Sequence, residues 1–503
     1  MSRTSVRALL SLPGALRASG TVRAEEVFIS GLVSDSRRVQ PGDAFAALPG
    51  RNVDGARFVE QAIQRGAVAV LAERDLDVRV PVVVIDNLRQ RLGTLAHYVY
   101  GDPTRQMTTI GVTGTNGKTT VTHLLESILR AAGKSPALLG TIAMRGPAGE
   151  EAAELTTPEA DRLARFASAS RDAGATHLVL EVSSVALKER RVAGMHFAVA
   201  AFTNLSHDHL DYHGTFEAYG EQKARLFTEY APQTSVVVVD SEFGKALAER
   251  ASGRVIRCSP AGNEAELRVA SFTSTREGLC AELVTPTGTY TLKSPLFGAH
   301  NLENLLVAIG CAIAVGIDVT TILQALEHAP GAPGRMERVA DPRGVLVLVD
   351  YAHTPDAIAR ALAALRPLTP GKLFIVFGCG GDRDRQKRAP MAEAAVCGAD
   401  LSILTADNPR SEDVNRILSD MEPGAARHVP KLAGAALRTA TRGYALIGDR
   451  AQAIAAALSA AQAGDTVLLA GKGHETYQLV GNTRYAFDDR IQAARALSSL
   501  GGG

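Results

Sequence analysis

The sequence lacks cysteine pairs, long apolar runs and a surplus of charge, and each absence excludes a class of protein. Its five cysteines form no CxxC pair and no metal-ligand spacing, so we expect free thiols and no disulfide framework. No segment approaches the ~20 apolar residues of a membrane span. The formal net charge of +1 argues against binding to nucleic acid or to a membrane surface. The composition therefore predicts a cytoplasmic protein.

The 503 residues exceed one hydrophobic core and predict about three domains. Nearly continuous apolar runs alternate with helical stretches, a pattern typical of parallel sheets covered on both faces. Gly and Pro mark two boundaries, at Gly101 to Thr104 and at Ala332 to Arg335. We predict an α/β fold with a small N-terminal α/β domain (1–104), a central P-loop ATPase-like parallel sheet (105–333) and a C-terminal Rossmann-like domain (334–503).

The segment from Gly111 to Thr120, GVTGTNGKTT, is the most informative part of the chain. It follows a short predicted strand and precedes a helix with apolar positions at helical spacing. A Gly-rich turn in this context exposes backbone N–H groups to phosphate at a helix N-terminus. Lys118 would reach the terminal phosphates and Thr119 would hold Mg²⁺, although Val112 replaces the first glycine of the usual pattern. The sequence therefore predicts a nucleoside triphosphate site.

Polar residues follow several other predicted strands. Glu181 ends an apolar strand, where a carboxylate can hold Mg²⁺ directly or through water. Three histidines at 207, 209 and 213 suggest zinc, but no cysteine or HExxH pattern supports it, and we predict one histidine near a nucleotide-bound metal. Gly380 to Asp384, Asp407 to Arg410 and Gly471 to Glu475 follow C-terminal strands. Their arginines and carboxylates predict a pocket for a zwitterionic small molecule.

Taken together, these motifs resemble those of the Mur ligases, the ATP-dependent amide-bond-forming enzymes of peptidoglycan assembly. The resemblance spans nearly the whole chain, from Ser34 to Arg490. The motifs that carry it are Ser34 to Arg37 (SDSR), Gly114 to Thr120 (GTNGKTT), Glu181 to Ser184 (EVSS), Asp208 to Gly214 (DHLDYHG), Gly334 to Glu337 (GRME), Asp350 to Pro355 (DYAHTP) and Asp407 to Arg410 (DNPR).

The resemblance implies a reaction and its partners. We expect ATP-dependent addition of meso-diaminopimelate to the D-glutamate of UDP-N-acetylmuramoyl-L-alanyl-D-glutamate, with an acyl phosphate intermediate and Mg²⁺ as cofactor. The products are ADP, phosphate and the extended peptide. The resemblance also implies that the N-terminal domain binds the UDP precursor, that the central domain binds ATP, that the C-terminal domain binds the amino acid, and that the protein acts as a monomer.

The resemblance also assigns roles to individual residues. Those expected to act in catalysis are Lys118, His209 and Lys223, and the expected metal contacts are Thr119, Glu181, His209 and Lys223. The expected ATP contacts are Gly114, Thr115, Asn116, Gly117, Lys118, Thr119, Thr120, Asn301, Arg335 and Asp350. The expected contacts to the UDP precursor are Ser34, Ser36, Arg51, Asn52, Val53, Thr156, Thr157, Ser183, Glu189 and Arg191. The expected contacts to diaminopimelate are Arg383, Asp407, Asn408, Pro409, Arg410, Gly471 and Glu475.

One lysine and two departures from the family pattern stand out. Lys223 would by itself be interpreted as an exposed helical lysine, but the resemblance implies a carbamylated N6-carboxylysine that ligates or positions Mg²⁺. Val185 stands where the family commonly has histidine, and Glu189 where a glutamine often contacts the dipeptide. These changes affect the expected precursor contacts and not the expected reaction.

Three alternatives remain at this point. The first is the same reaction with L-lysine, against which Arg410 argues because it can bind the distal carboxylate that lysine lacks. The second is a ligase like folylpolyglutamate synthase, which the ~100-residue N-terminal domain disfavours. The third is a nucleotide-sugar binding protein without catalysis, which the intact Lys118, Glu181, His209 and Lys223 disfavour.

Overall fold

The computed structural model describes residues 4–12, 14–19, 27–50, 54–208 and 210–500. The chain divides into two compact units. The first comprises residues 1–270, 283–290 and 303–326, and the second comprises residues 271–282, 291–302 and 327–503.

The N-terminal part of the first unit is a small sheet with helices. Its strands are β1 (Thr4–Ser5), β2 (Ala15–Ser19), β3 (Phe28–Ile29), β4 (Gly31–Val33), β5 (Asp43–Ala46), β6 (Ala69–Ala72) and β7 (Val82–Ile85). Its helices are α1 (Val6–Leu10), α2 (Val59–Gln64) and α3 (Leu88–Val99). The sheet has the order β2-β7-β6-β5-β4, parallel from β7 to β4, and β1 pairs with β3. Strands β4 to β7 are buried on both faces, which explains their continuous apolar sequences.

A larger sheet follows, built around the Gly-rich turn. Its strands are β8 (Thr108–Thr113), β9 (Pro136–Leu139), β10 (Ala143–Gly146), β11 (Gly149–Ala152), β12 (His177–Glu181), β13 (Val199–Phe202), β14 (Thr234–Val238), β15 (Arg254–Ser259) and β16 (Leu267–Ser274), and two more strands follow in the chain, β17 (Leu279–Thr285) and β18 (Gly288–Ser294). Its helices are α4 (Lys118–Ala131), α5 (Ala160–Asp172), α6 (Ser184–Lys188), α7 (Leu210–His213), α8 (Phe216–Thr228), α9 (Glu242–Arg250), α10 (Ala299–Ala314) and α11 (Val319–His328).

Within this sheet, β8 lies between β12 and β13 and is parallel to both. The carboxyl ends of these three strands carry the Gly-rich turn, Glu181 and the segment beginning at Thr203. Parallel strands deliver their carboxyl ends to one edge of a sheet, so three separate parts of the sequence meet there. The sequence did not predict the antiparallel β10–β11 hairpin, whose second strand is exposed on both faces and therefore lacks an apolar signal.

The second unit contains a sheet of the order β19-β20-β24-β21-β22-β23, parallel except for the antiparallel edge strand β19. Its strands are β19 (Glu337–Val339), β20 (Leu346–Asp350), β21 (Leu373–Cys379), β22 (Leu401–Ala406), β23 (Gly443–Leu446) and β24 (Thr466–Ala470), followed by the hairpin β25 (Tyr477–Val480) and β26 (Thr483–Ala486). Its helices are α12 (Pro355–Leu365), α13 (Arg388–Gly398), α14 (Val414–Ala426), α15 (Arg450–Ala460) and α16 (Asp489–Leu500). Separate apolar cores cover the two faces of this sheet.

The predicted fold class is confirmed. The structure is α/β, with a small N-terminal sheet, a central largely parallel sheet that carries the Gly-rich turn, and a C-terminal doubly covered parallel sheet. The boundaries at residues 104 and 333 stay predictions. Across the residues that the structure describes, no helix has the length and apolar character needed to span a membrane.

Candidate active site

The Gly-rich turn connects β8 directly to α4. Gly114 has φ 147° and Gly117 has φ 88°, values that residues with a side chain rarely adopt. The Lys118 ammonium donates to the carbonyl oxygens of Gly114 and Thr115, at 2.9 Å each. The first N–H groups of α4 have no acceptor within the helix, so the turn combines an ammonium with backbone donors suited to phosphate.

A second segment holds this turn from the side. The Asn116 N–H donates to Asn204 Oδ1 at 3.1 Å, and Thr203 Oγ1 donates to the Asn116 carbonyl at 2.6 Å. Thr115 Oγ1 lies 3.1 Å from the Tyr219 hydroxyl. The turn is therefore fixed by tertiary contacts, and Thr120, also predicted to contact ATP, is buried behind it in α4.

Glu181 is fully buried at the end of β12. Its carboxylate accepts from Thr119 Oγ1 at 3.0 Å, from the Thr141 N–H at 2.8 Å and from Thr141 Oγ1 at 3.1 Å. Hydroxyl and carboxylate oxygens are the ligands that Mg²⁺ prefers, so Thr119 and Glu181 fit this ion. Among the described residues, no three His, Cys, Asp or Glu side chains cluster as a metal site, and His209 lies outside those residues.

Lys223 lies in α8 and is only 1% exposed, which contradicts its interpretation as an exposed helical lysine. Its Nζ donates to the Gly114 carbonyl at 2.8 Å, the same oxygen that Lys118 contacts, and lies 4.4 Å from the centre of the Tyr219 ring. Burial, followed by the nearby ammonium of Lys118, holds the pKa of Lys223 well below its usual value, and Asp208 opposes this shift. The lowered pKa favours the uncharged amine over the ammonium.

The predicted contacts to the dipeptide part of the precursor lie beside Glu181. Thr157 is 1% exposed, donates from Oγ1 to the Glu181 carbonyl at 2.8 Å and accepts from the Ser183 N–H at 3.0 Å. Arg191 donates to the Thr157 carbonyl at 3.1 Å. Thr156 Oγ1 lies 3.0 Å from the Thr141 hydroxyl. Apart from Glu189, which accepts a hydrogen bond from the Tyr212 hydroxyl, these predicted residues therefore form one connected group.

The predicted uridine-diphosphate contacts are only partly described. Ser34 donates from its N–H and its hydroxyl to Asp161 Oδ2, at 2.7 and 3.1 Å, which ties the end of β4 to α5. Ser36 is buried and donates to Gln61 Oε1 at 2.7 Å. The predicted contacts Arg51, Asn52 and Val53 lie outside the described residues.

The remaining predicted nucleotide contacts belong to the second unit. Both carboxylate oxygens of Asp350 accept backbone N–H groups, from Met336 at 2.9 Å and from Ala352 at 2.8 Å. The Arg335 guanidinium lies 4.6 Å from the centre of the Tyr351 ring. Asn301 is buried and donates to the Phe297 carbonyl at 2.8 Å.

Arg410 has an unusual backbone for a residue with a side chain, with φ 51°. Two hydrogen bonds hold this conformation: the Arg410 N–H donates to the Leu479 carbonyl at 2.9 Å, and the Gly481 N–H donates to the Arg410 carbonyl at 2.7 Å. The guanidinium donates to the Gly381 carbonyl at 2.7 Å. Backbone contacts therefore fix the main chain at Arg410, and the hydrogen bond to Gly381 holds its guanidinium. Arg383, the other predicted arginine, is exposed on the neighbouring loop.

Asp407, Asn408 and Glu475 meet at the ends of β22 and β24. Asn408 Nδ2 donates to Glu475 Oε2 at 2.8 Å, and Asn408 Oδ1 accepts from the Leu479 N–H at 2.9 Å. Gly471 has φ 107°, and a Cβ added to it would lie 4.0 Å from Asp407 Oδ2. Burial raises the pKa of Asp407, while Lys472 and Arg450 oppose the shift. Asp407, Asn408 and Glu475 therefore lie together within one unit, and their role as an amino-acid pocket stays a prediction.

Sequence reasoning missed several residues that hold these groups in place. They include Thr141 beside Glu181, Tyr219 beside Lys223, and the buried cations Arg388, Arg450 and Lys472. Only Lys472 had a signal in the sequence, since it follows a glycine at the end of a predicted strand. The burial of Arg388 and Arg450 depends on packing between distant segments, which no local pattern reports.

Comparison with known proteins assigns the chain to a family. Family models match three consecutive segments: the Mur ligase family catalytic domain over residues 28–100, the Mur ligase middle domain over 112–312, and the Mur ligase glutamate ligase domain over 334–473. A relative from Geobacillus thermodenitrificans, named UDP-N-acetylmuramoyl-L-alanyl-D-glutamate–2,6-diaminopimelate ligase, is 42% identical over 476 residues, which cover 93% of this chain and 95% of the relative. The chain belongs to the Mur ligase family.

Further relatives of this Mur ligase agree. A protein of the same name from Synechococcus elongatus is 45% identical over 487 residues, covering 94% of this chain and 95% of the relative. A solved structure titled with that name has a TM-score of 0.71 at 33% identity and covers 100% of both chains. The resemblance inferred from the motifs is thus confirmed, and the alternative of a protein like folylpolyglutamate synthase is no longer needed.

Proposed function

We propose that this Mur ligase adds meso-diaminopimelate to the D-glutamate carboxylate of UDP-N-acetylmuramoyl-L-alanyl-D-glutamate, using ATP and Mg²⁺, in peptidoglycan precursor synthesis. The observation that carries the proposal is the pair of full-length relatives, 42% and 45% identical, that bear the corresponding name. Within the chain, the Lys118 turn, buried Glu181 and the pocket around Asp407 and Arg410 support it.

The first half of the reaction needs two anions to meet. A carboxylate does not acylate an amine at neutral pH because its oxide is a poor leaving group, so the D-glutamyl carboxylate attacks the γ-phosphorus of ATP and releases ADP. Lys118 lies where it can neutralise charge on the phosphates, and the N–H groups at the start of α4 can bind them. The resulting acyl phosphate carries a leaving group that an amine can displace.

Thr119 and Glu181 are the residues that would hold Mg²⁺, which supplies positive charge to the phosphates when bound. Lys223 is proposed to be carbamylated. Carbamylation requires a neutral amine to attack carbon dioxide, and burial and the nearby Lys118 ammonium, which lower the pKa of Lys223, favour that form. The amine loses a proton as the N–C bond forms, and the product is a carboxylate on the side chain that can pair with the Lys118 ammonium.

The second half of the reaction uses the amino acid. Asp407 and Glu475 offer carboxylates to an ammonium group, and Arg410 offers a guanidinium fork to a carboxylate. Diaminopimelate has a distal carboxylate that lysine lacks, so a lysine in this pocket would leave Arg410 without its anion. We therefore favour diaminopimelate over L-lysine, which remains the alternative substrate.

Two further proposals concern the setting of the enzyme. ATP as co-substrate and free cysteines, three of them buried, fit a cytoplasmic location. We also propose that the enzyme acts as a monomer, which sedimentation of the purified protein would test.

Phosphate release measures the proposed reaction. The purified protein, ATP, Mg²⁺, the UDP-linked dipeptide and meso-diaminopimelate should release phosphate together with ligated product, and omission of any one substrate should stop product formation. Absence of product with all components present would contradict the proposal and favour the binding protein without catalysis.

A further inference from the structure

Lys472 is the least expected residue of the amino-acid pocket. It follows Gly471 at the end of β24, and its side chain is 0% exposed. Lysine is rarely buried to this degree unless its charge is paired. It therefore cannot be a surface residue of the turn, and its partners indicate what it does.

Those partners are the residues predicted to hold the amino acid. Lys472 Nζ donates to Glu475 Oε2 at 3.1 Å and to Asn408 Oδ1 at 3.3 Å. It also lies 3.6 Å from Asp407 Oδ1, which is too far for a good hydrogen bond but close enough for an ion pair. One ammonium thus contacts three side chains from the ends of two strands.

A second buried cation is already paired. Arg450 and Asp489 are each 0% exposed and form a two-pronged ion pair, with Nε–Oδ1 at 2.8 Å and Nη2–Oδ2 at 2.6 Å. Arg450 also donates to the Ala470 carbonyl at 2.9 Å, just before the glycine that precedes Lys472. With Asp489 assigned to Arg450, Lys472 is left facing both Asp407 and Glu475.

Two carboxylates, those of Asp407 and Glu475, therefore face the single ammonium of Lys472. Asp407 Oδ1 is buried and makes no hydrogen bond to any described residue. An ammonium group on a ligand would supply the missing positive charge and a donor for this oxygen.

We propose that Lys472 is the positioning residue of the amino-acid pocket: its ammonium pairs with Asp407 and Glu475 and contacts Asn408, and so holds these side chains in place to receive the ammonium of the incoming amino acid. This inference rests on the proposed function and goes beyond it, because Lys472 itself need not touch the substrate. It acts through the three side chains it holds.

The test replaces Lys472 by methionine, which has a similar length and no charge. The Michaelis constant for diaminopimelate should rise about tenfold or more, because hydrogen bonds to charged groups are lost, while that for ATP should stay within about twofold. The acidic limb of kcat/KM for the amino acid should move to higher pH, since a carboxylate without its cation has a higher pKa. Lys431→Met, an exposed lysine in the same unit, is the control.

Lys472→Gln is the second variant, because it keeps an N–H donor for its partners and should tolerate burial if the methionine variant does not fold. The same rise in the Michaelis constant and the same shift of the pH limb are expected. A purely structural role would lower stability or kcat without moving that limb. An unchanged constant for diaminopimelate and an unmoved limb in a folded variant would overturn the inference.

A double-mutant cycle asks whether Lys472 acts through Asp407. Lys472→Gln should cost less in an Asp407→Asn background than in the wild type, since one of its partners is already neutral. Equal losses in both backgrounds would contradict that route.

The wild type is assayed first with diaminopimelate and a panel of other amino acids. If the wild type ligates another amino acid but not diaminopimelate, the proposed substrate is wrong. The Lys472 variants would then be measured with the amino acid that is accepted.

Discussion

We propose different tasks for the two lysines that share the Gly114 carbonyl. Lys118→Ala should abolish ligation, with a loss of roughly 10²-fold or more in rate, because the ammonium proposed to stabilise the transferring phosphoryl group is gone. The fold should persist, since the hydrogen bonds from Lys118 to the Gly114 and Thr115 carbonyls lie within its own turn. Phosphate release and thermal unfolding measure the two effects. Lys134→Ala, an exposed lysine just after the same helix, should retain turnover. Near wild-type turnover in Lys118→Ala would contradict the phosphate assignment.

Lys223 should carry a carbamate. Intact-protein mass spectrometry under carbon dioxide trapping should find one added carboxylate on the wild type and none on Lys223→Ala. That variant should be nearly inactive and partly rescued by a small carboxylic acid that refills the site. Lys245→Ala, at an exposed position, is the control. Full activity of Lys223→Ala without added acid, together with full wild-type activity in carbon-dioxide-depleted buffer, would show that the lysine has no such role.

The local sequence predicts the surroundings of some of these residues and not of others. Lys118 and Thr119 were predictable because a local pattern of strand, glycine-rich turn and helix determines their surroundings. The burial of Lys223 was not predictable, because α8 is amphipathic and only tertiary packing places the face that carries Lys223 against the Gly-rich turn. The resemblance to a family, rather than the local sequence, singled it out.

At the scale of elements, Arg388 connects two loops of the amino-acid pocket. It begins α13, is 0% exposed and donates to both oxygens of Glu412, to Asp420 Oδ2 and to the Gly380 carbonyl. Arg388→Met should lower the free energy of unfolding by about 3 kcal/mol, because Glu412, Asp420 and the Gly380 carbonyl lose a buried donor. Arg385→Met, which removes a half-exposed arginine from the same Glu412, should cost about 1 kcal/mol or less. Urea unfolding measures both, and equal losses would contradict the assigned role of Arg388.

The ion pair between Arg388 and Glu412 should also make the stability of the protein depend on pH. The hydrogen bond from Arg388, followed by that from the Asp382 N–H, lowers the pKa of Glu412 from 4.5 to about 2. This contribution to the free energy of unfolding is therefore present above about pH 4.5 and is lost as the pH falls towards 2. The decrease in the free energy of unfolding between about pH 4.5 and pH 2 should be smaller in Arg388→Met than in the wild type.

The strands were the most predictable elements. Runs such as those of β12, β20 and β24 are largely apolar because parallel strands are buried on both faces. The conformation of Arg410 was not predictable, because φ 51° results from hydrogen bonds to a hairpin some seventy residues further along the chain.

At the scale of the whole molecule, binding of nucleotide should appear as stability. A non-hydrolysable ATP analogue with Mg²⁺, at 100 times its dissociation constant, should raise the free energy of unfolding by about 2.7 kcal/mol. A chelator should remove most of this gain, because Thr119 and Glu181 are proposed to hold the metal. Thr119→Val, which keeps the side-chain shape and loses the hydroxyl, should show a smaller effect of the chelator. A gain that is unaffected by the chelator would contradict the metal assignment.

The central claim is that this Mur ligase joins meso-diaminopimelate, rather than lysine, to its nucleotide-linked dipeptide. Mass spectrometry of the products formed with equal concentrations of the two amino acids tests it most directly. We expect the diaminopimelate product almost exclusively, and we expect Arg410→Ala to raise the Michaelis constant for diaminopimelate far more than that for ATP. Comparable amounts of the two products from the wild-type enzyme, or a predominance of the lysine product, would contradict the account.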